Sequence, residues 1–249
     1  MKRLLLTLTA AFFLAGTVSA EDKVDFKAIL AKIDEQTNFK GDASAKVTIQ
    51  SKKPGENDNI TQAQYFRRDA EDKFMILILK PEVNKGQGYL KIDDNIIFYD
   101  PESRKFSKLT GSGNFQDSNA KNSDFQASSL SNDYDIISSG REKLGSLDTW
   151  VLTLKAKRND VTYPKQKVWI QVSSNLIRKS EDYSLSDRLM RTSLYSGYIQ
   201  IDGKFLATRM RFEDNLKKGE VTDLVLEDAS LTKLPDTVFS QAYLEKVNN

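Results

Sequence analysis

The most constraining feature of this sequence is the run FMILIL at residues 74–79, which lies within a series of short predicted strands. A strand with one face in water alternates apolar and polar side chains, whereas a strand that is apolar throughout must be covered on both faces. Turn signals at 81–88, 93–95 and Asp100-Pro101 bound the neighbouring strands, because proline cannot donate to a sheet ladder. Residues 65–101 therefore predict a four-stranded antiparallel meander whose apolar strand is covered on each side.

The first twenty residues have the pattern of a secretory signal peptide. Lys2 and Arg3 precede an apolar stretch at 4–16, and small residues at 18–20 suit cleavage after Ala20. The apolar stretch is too short to span a bilayer as a helix, although an uncleaved anchor is the alternative. We therefore expect export to the periplasm and a mature chain, 21–249, that folds as one domain.

The composition excludes several kinds of chemistry. The chain has no cysteine, so it has no disulfide, no thiolate metal site and no acylated cysteine at its mature start. It also has no histidine, the side chain that most often serves as a general base or transition-metal ligand. Removing Lys2 and Arg3 leaves acidic and basic residues in balance, which argues against nucleic acid as a partner. We expect no cofactor, no metal and no catalysis.

The spacing of apolar residues predicts one helix followed by many strands. Phe26, Ile29, Leu30 and Ile33 lie on one side of a helix over 24–36. Alternation with period two then predicts about ten to eleven antiparallel strands, with 189–195 and 198–201 as separate strands. These patterns indicate a mainly β fold with a few helices over an apolar face, although a fully packed core fits them equally well.

Other local patterns give further predictions. Residues 110–121 hold few apolar side chains, with Phe115 the exception, and predict a mobile segment. Residues 123–130 predict a short helix capped by Ser123, and residues 235–244 a closing helical turn. The pair Glu181-Asp182 is expected in a turn or at the surface. Trp169 is expected to be exposed or to bind a partner.

Ordered short motifs along the mature chain are similar to those of a known family. They are Arg67-Arg68-Asp69, Asp72-Lys73-Phe74, Leu79-Lys80-Pro81, GQGYL at 86–90, NIIFYDP at 95–101, Ser123-Asp124-Phe125, Tyr134-Asp135, Leu144-Gly145, Tyr163-Pro164-Lys165, EDYS at 181–184 and LPDTVF at 234–239. In this order and spacing, the chain resembles the outer membrane lipoprotein-sorting proteins, the LolA-like periplasmic carriers.

The resemblance implies an incomplete antiparallel β-barrel, with helices over its concave face and an apolar cavity between them. It also implies a monomeric carrier that takes acylated lipoproteins or lipids from an inner-membrane transporter to an outer-membrane acceptor. In such carriers an arginine at the end of the second strand contacts the helical lid. Arg68 is the nearest position here, Arg67 is the competing choice, and a solvated turn is the alternative.

The predicted cavity residues come from the helix and from the inward positions of the strands. They are Phe26, Ile29, Leu30, Ile33, Ile76, Ile78, Leu90, Ile92, Trp150, Leu152, Leu154, Val168, Ile170, Met210, Phe212, Leu224 and Leu226. Two other functions remain open at this point. One is a lipid hydrolase that uses the same cavity with carboxylate or Ser/Lys chemistry, and the other is a non-catalytic docking partner of an envelope transporter.

Overall fold

The computed structural model describes residues 24–248, and the predicted signal peptide lies outside this range. Within it, thirteen strands form one antiparallel sheet in the order β6-β5-β4-β3-β2-β1-β13-β12-β11-β10-β9-β8-β7. The strands are β1 (Asp42–Lys52), β2 (Asn59–Arg68), β3 (Lys73–Lys80), β4 (Gly88–Ile92), β5 (Asn95–Asp100), β6 (Lys105–Leu109), β7 (Tyr134–Leu144), β8 (Leu147–Ala156), β9 (Lys165–Gln171), β10 (Leu176–Tyr183), β11 (Leu189–Ile201), β12 (Lys204–Asp214) and β13 (Val221–Ser230). The sheet does not close, because β6 and β7 are its edges, which confirms the predicted fold class.

The predicted number of strands was too low. The edge strands β6 and β7 carry mostly exposed side chains, so neither shows a clear apolar alternation. Residues 189–201 form one strand rather than two. The pairing of β11 with β12 shifts between Tyr195 and Tyr198, and such a bulge interrupts the alternation on which the prediction depended.

Strand β3 is covered on both faces, as its composition requires. Phe74, Ile76 and Ile78 pack on one face with Phe115 and Phe125. Met75 and Leu77 pack on the other face with the C-terminal segment. We call the first side the inner face and the second the outer face. Leu79 is the exception within the run, with 38% of its surface exposed.

The predicted N-terminal helix is α1 (Phe26–Thr37), and it lies on the inner face. Asp25 caps it, since its carboxylate accepts a hydrogen bond from Ala28 N at 3.0 Å. Leu30 and Ile33 are buried against Leu152, Leu154, Val168 and Ile170. Burial of this apolar stripe, more than intrinsic propensity, stabilises the helix. Within 24–248, no helix is both long and apolar enough to cross a bilayer.

The inserted segment (residues 110–133, between β6 and β7) differs from its prediction. Phe115 is 1% exposed, and Ser118, Asn119 and Ala120 are also buried. Asn119 N donates to Thr222 Oγ1 at 2.8 Å, which attaches this part of the segment to β13. The polar composition had suggested mobility because it offers little to bury, but backbone and side-chain hydrogen bonds hold the segment on the inner face.

The predicted helix at 123–130 is also wrong. The chain forms a 3₁₀ helix at Asn122–Phe125 and a separate short helix, α2 (Leu130–Asp133). Ser123 caps neither helix, and the Asp124 carboxylate instead accepts a hydrogen bond from Lys121 N at 2.6 Å. The residues between the two helices line a cavity, which is described below.

The C-terminal segment (residues 231–248) crosses the outer face. It contains a 3₁₀ helix at Asp236–Phe239 and the helix α3 (Gln241–Lys246). Val238, Phe239 and Leu244 are buried against Met75, Leu90 and Tyr99. The predicted closing helical turn is therefore the element that covers β3 and β4 from outside.

Gly88 permits the close approach of α3 to β4. A Cβ atom added there would lie 2.2 Å from Leu244 Cδ2, whereas one added at Gly140 meets nothing within 4 Å. We expect Gly88→Ala to lower the free energy of unfolding by about 1–3 kcal/mol, because the added methyl overpacks a filled interface. Gly140→Ala, the matched strand control, should stay within about 0.5 kcal/mol of wild type. Urea denaturation tests this, and equal losses would show that Leu244 is not the cause.

Candidate functional site

The inner face carries two packed regions with a cavity between them. On one side, Phe115, Ala120 and Phe125 of the inserted segment pack on β1–β5. On the other side, α1 packs on β8 and β9. Between these regions lies a cavity of about 290 Å³. Sheet, helix and inserted segment all contribute to its wall.

The cavity lining is mixed, and the sheet, α1 and the inserted segment each contribute both apolar and polar side chains to it. Its apolar and aromatic members are Ile33, Tyr65, Phe125, Ala127, Leu130, Tyr134, Val168, Ile177, Tyr195, Tyr198, Phe205, Leu206, Ala207, Met210, Phe212, Leu224 and Leu226. Its polar members include Gln126, Ser128 and Ser129. Pockets that bind small molecules usually combine an apolar lining with a few polar groups in this way.

Some of the predicted cavity residues line the cavity and others do not. Ile33, Val168, Met210, Phe212, Leu224 and Leu226 form part of its wall. Ile76 and Ile78 lie on the same face but are covered by the inserted segment. Phe26, Ile29, Leu30, Trp150, Leu152, Leu154 and Ile170 pack among themselves where α1 meets the sheet. Phe26 and Trp150 meet edge to face with ring centroids 5.4 Å apart.

The prediction was wrong for Leu90 and Ile92, which belong to the outer face. Leu90 pairs with Met75 of β3, and both pack against the C-terminal segment. The neighbouring residue Tyr89 pairs with Ile76 and packs on the inner face. Since side chains alternate along a strand, an error of one residue in register moves a whole set to the opposite face.

The prediction of Arg68 as the lid contact was also wrong. Its guanidinium donates to both Asp42 carboxylate oxygens, at 2.7 and 3.0 Å, and to Asp236 Oδ1 at 2.6 Å. It also lies 4.8 Å from the Phe239 ring centroid. Arg68 therefore attaches the C-terminal segment to the outer face, and its side chain is neither solvated nor near the cavity.

Arg67, the competing choice, is the arginine that lines the cavity. Its Nε and Nη2 each donate to the Asp69 carboxylate at 2.6 Å, and its Cζ lies 5.3 Å from the Phe39 ring centroid. Asp69 also accepts from Phe39 N at 2.6 Å. Because Phe39 follows α1 directly, this network joins the end of β2 to the chain that leaves the helix.

Asp34, a residue of α1, and Asn38, the C-cap of that helix, hold the helix to the inserted segment. The Asp34 carboxylate accepts hydrogen bonds from Leu130 N at 3.0 Å and from Ser131 N at 2.8 Å. Asn38 exchanges two hydrogen bonds with the backbone of Ser128, at 2.7 and 2.8 Å. Asp34 thus satisfies free amides at the start of α2 from outside that helix. Helix α1 and residues 128–133 are therefore coupled along one side of the cavity.

A buried ion triad holds the middle of the inserted segment on β10 and β11. Arg191 donates to Asp124 at 2.6 and 3.0 Å and to Asp182 at 2.9 Å, and its Cζ lies 5.1 Å from the Tyr163 ring centroid and 4.8 Å from that of Phe212. Asp182 is therefore not at the surface, contrary to prediction. Burial raises the pKa of Asp182, the Arg191 charge opposes this shift, and the net direction is upward.

The tyrosines of the cavity were missing from the prediction. Tyr65 O–H donates to Phe125 O at 2.6 Å, and Tyr198 O–H donates to Ile177 O at 2.7 Å. Burial raises the pKa of Tyr65 and of Tyr195 to about 12, so both phenols are protonated at neutral pH. Tyr195 and Tyr198 are three residues apart, and in a regular strand this spacing would place them on opposite faces. The bulge between them allows both to line the cavity, and the sequence alone does not reveal it.

Trp169 lies on the outer face and is buried, contrary to prediction. It is 5% exposed, and its Nε1 donates to Glu142 Oε2 at 3.0 Å. The ammonium groups of Lys167 and Lys179 lie 4.6 and 4.2 Å from its ring centroid. The two lysine side chains cover the ring instead of leaving it exposed.

Comparison with known proteins identifies related folds. A family model described as "Uncharacterized protein" matches residues 70–246, and no curated protein matches the chain. A LolA superfamily protein from Nitrosomonas europaea is 28% identical to this chain, with a TM-score of 0.78. The alignment covers 89% of this chain and 100% of that protein.

Two further solved structures share the fold. A DUF1329 family protein from Desulfovibrio piger is 20% identical with a TM-score of 0.79, and the alignment covers 88% of this chain and 97% of that one. A domain named for outer membrane lipoprotein sorting, from Vibrio parahaemolyticus, is 20% identical with a TM-score of 0.78, over 88% of this chain and 97% of that one.

Proposed function

The chain belongs to the family whose model matches residues 70–246, and it shares its fold with a LolA superfamily protein, so we propose that it is a periplasmic, non-catalytic carrier of acyl chains. Its cargo would be a lipoprotein or a lipid on the way to the outer membrane. The observation that carries this proposal is the cavity of about 290 Å³ between the sheet, α1 and the inserted segment.

The cavity suits an acyl chain because most of its wall is apolar. Met210, Phe212, Leu224 and Leu226 form a continuous apolar floor from β12 and β13. Each methylene buried there contributes roughly 0.8 kcal/mol, so a fatty acyl chain has enough gross binding energy to exceed the cost of association.

The cavity is small for the proposed cargo. Ligand pockets commonly measure about 300–1,000 Å³, so 290 Å³ lies just below this range. A cargo with two or three acyl chains needs more room, and the elements available to move are α1 and the inserted segment. Phe115 and Phe125 occupy inner-face surface that such a cargo would cover.

The proposed route requires two partners. An inner-membrane transporter would load the carrier, and an outer-membrane acceptor would receive the cargo. The predicted signal peptide supports a periplasmic location, and the absence of cysteine throughout the chain removes the acylation site that would anchor it to a membrane.

Native mass spectrometry of the exported protein tests the proposal. We expect the protein to retain a bound species whose mass, after denaturation, corresponds to a fatty acyl lipid or an acylated peptide. Delipidated protein should rebind a diacylglycerol lipid or a synthetic diacylated lipopeptide, and the water-soluble headgroup or unacylated peptide should not bind. Failure to bind either acylated ligand after delipidation would contradict the proposal.

A further inference from the structure

Three loops at one end of the sheet expose apolar side chains at their tips. Val83 is 85% exposed, Leu185 is 90% exposed and Leu216 is 39% exposed. These loops follow β3, β10 and β12. Each strand pairs antiparallel with its neighbours, so β3, β10 and β12 run in the same direction and their following loops share one end. Solvated loop tips ordinarily carry polar residues.

A basic side chain follows each apolar tip closely in sequence. Lys85 follows Val83, Arg188 follows Leu185, and Lys217 and Lys218 follow Leu216. Arg188 and Lys218 are exposed and make no ion pair among the described residues, whereas Lys85 lies 2.9 Å from Glu82 and Lys217 lies 3.5 Å from Glu220. An apolar tip beside a cationic group matches the acyl region and the phosphate layer of an anionic bilayer.

Hydrogen bonds hold the Leu185 and Leu216 loops in place. Ser184 N donates to Arg188 O at 2.9 Å, which closes the turn that presents Leu185. The Asp214 carboxylate accepts from Leu216 N at 2.7 Å. Asn215 N also donates to Met190 O of β11 at 3.0 Å, which joins the Leu216 loop to the strand that follows the Leu185 loop. The two leucines are therefore presented by a connected and ordered surface.

We propose that this surface, the loop rim (residues 81–87, 184–188 and 215–220), docks onto an anionic phospholipid bilayer. Val83, Leu185 and Leu216 enter the interface, and the adjacent lysines and arginine contact lipid phosphates. This contact is separate from the cavity, so it does not depend on the carrier proposal. A protein partner is the competing occupant of the same rim.

Vesicle flotation of the exported protein tests this proposal. We expect binding to phosphatidylglycerol vesicles, at least tenfold weaker binding to phosphatidylcholine vesicles, and release at high salt. The triple variant Val83→Ser, Leu185→Ser, Leu216→Ser should bind phosphatidylglycerol at least tenfold more weakly. Lys217→Glu with Lys218→Glu should weaken binding to anionic vesicles only.

Ile199→Ser is the matched control, because Ile199 is 40% exposed but lies near the end of β11, at the end of the sheet opposite the rim. Its vesicle binding should equal that of wild type, and circular dichroism should show that every variant remains folded. Equal losses in the control and the rim variant would overturn the proposal. Absence of vesicle binding by wild type would also overturn it and would leave a protein as the occupant of the rim.

Discussion

Ala207→Trp is expected to abolish acyl binding while the protein remains folded. Ala207 lines the cavity, whose volume is about 290 Å³, so an indole there would occupy space that the proposed cargo needs. The loss should be at least tenfold in affinity for a fluorescent fatty acid, because about two lost methylene contacts already correspond to roughly 1.6 kcal/mol.

Ala242→Trp is the matched control for this experiment. Ala242 is exposed on α3 and belongs to the outer face, so the same substitution there adds an indole without touching the cavity. Fluorescence titration and thermal denaturation should be carried out on both variants. If both bound the fatty acid as wild type does, the acyl site would lie outside this cavity.

Arg191→Met is expected to cause the largest loss of stability. Removing this arginine leaves Asp124 and Asp182 buried without their countercharge, and breaking a buried pair in this way costs about 3–5 kcal/mol. For a chain of this size, Tm falls by about 2–4 °C for each kcal/mol, so a decrease of roughly 6–20 °C is expected. Amide exchange should also accelerate at 115–128, because Asp124 no longer holds the inserted segment on the sheet.

Arg211→Met controls for the loss of an arginine ion pair as such. Arg211 also binds a carboxylate through two atoms, with Asp223 at 2.7 and 2.9 Å, but its side chain is 48% exposed. An exposed pair contributes about 0–1 kcal/mol, so Tm should change little. Adding Asp182→Asn to Arg191→Met should recover part of the loss. Equal Tm shifts for Arg191→Met and Arg211→Met would contradict the assigned role of the buried triad.

The Ala207→Trp and Arg191→Met predictions both bear on how cargo would enter the cavity. Asp34 and Asn38 couple α1 to residues 128–133, which form the last part of the inserted segment. Arg191 holds an earlier part of that segment on the sheet through Asp124. If α1 and the inserted segment move as one body, the Arg191 contacts must break while the Asp34 contacts persist. Exchange in α1 should then change in parallel with exchange at 128–133 when an acylated ligand binds.

Local patterns predicted the elements and their type. The apolar run at 74–79 required a covered strand, and β3 is covered by Phe115 and Phe125 on one face and by the C-terminal segment on the other. The spacing of Phe26, Ile29, Leu30 and Ile33 predicted α1 to within two residues at its start. Such predictions succeed because side-chain periodicity follows directly from backbone geometry.

Register could not be obtained from the same patterns. Leu90 and Tyr89 are both apolar enough for either face, and only the pairing with Met75 and Ile76 decides which of them points inward. Arg67 and Arg68 are likewise adjacent, yet one lines the cavity and the other holds the C-terminal segment outside. A one-residue step exchanges the faces of a strand, so these roles depend on long-range pairing.

Periodicity and composition alone identify a mainly β chain with an amphipathic helix and without histidine or cysteine chemistry. The burial of Phe115 and of residues 118–120 within the polar segment, and the place of Asp182 in an interior triad, follow only from the tertiary fold. The physical reason is that a polar side chain is buried only where a distant partner satisfies it. For Asp124 and Asp182 that partner is Arg191, whose position no local pattern reveals.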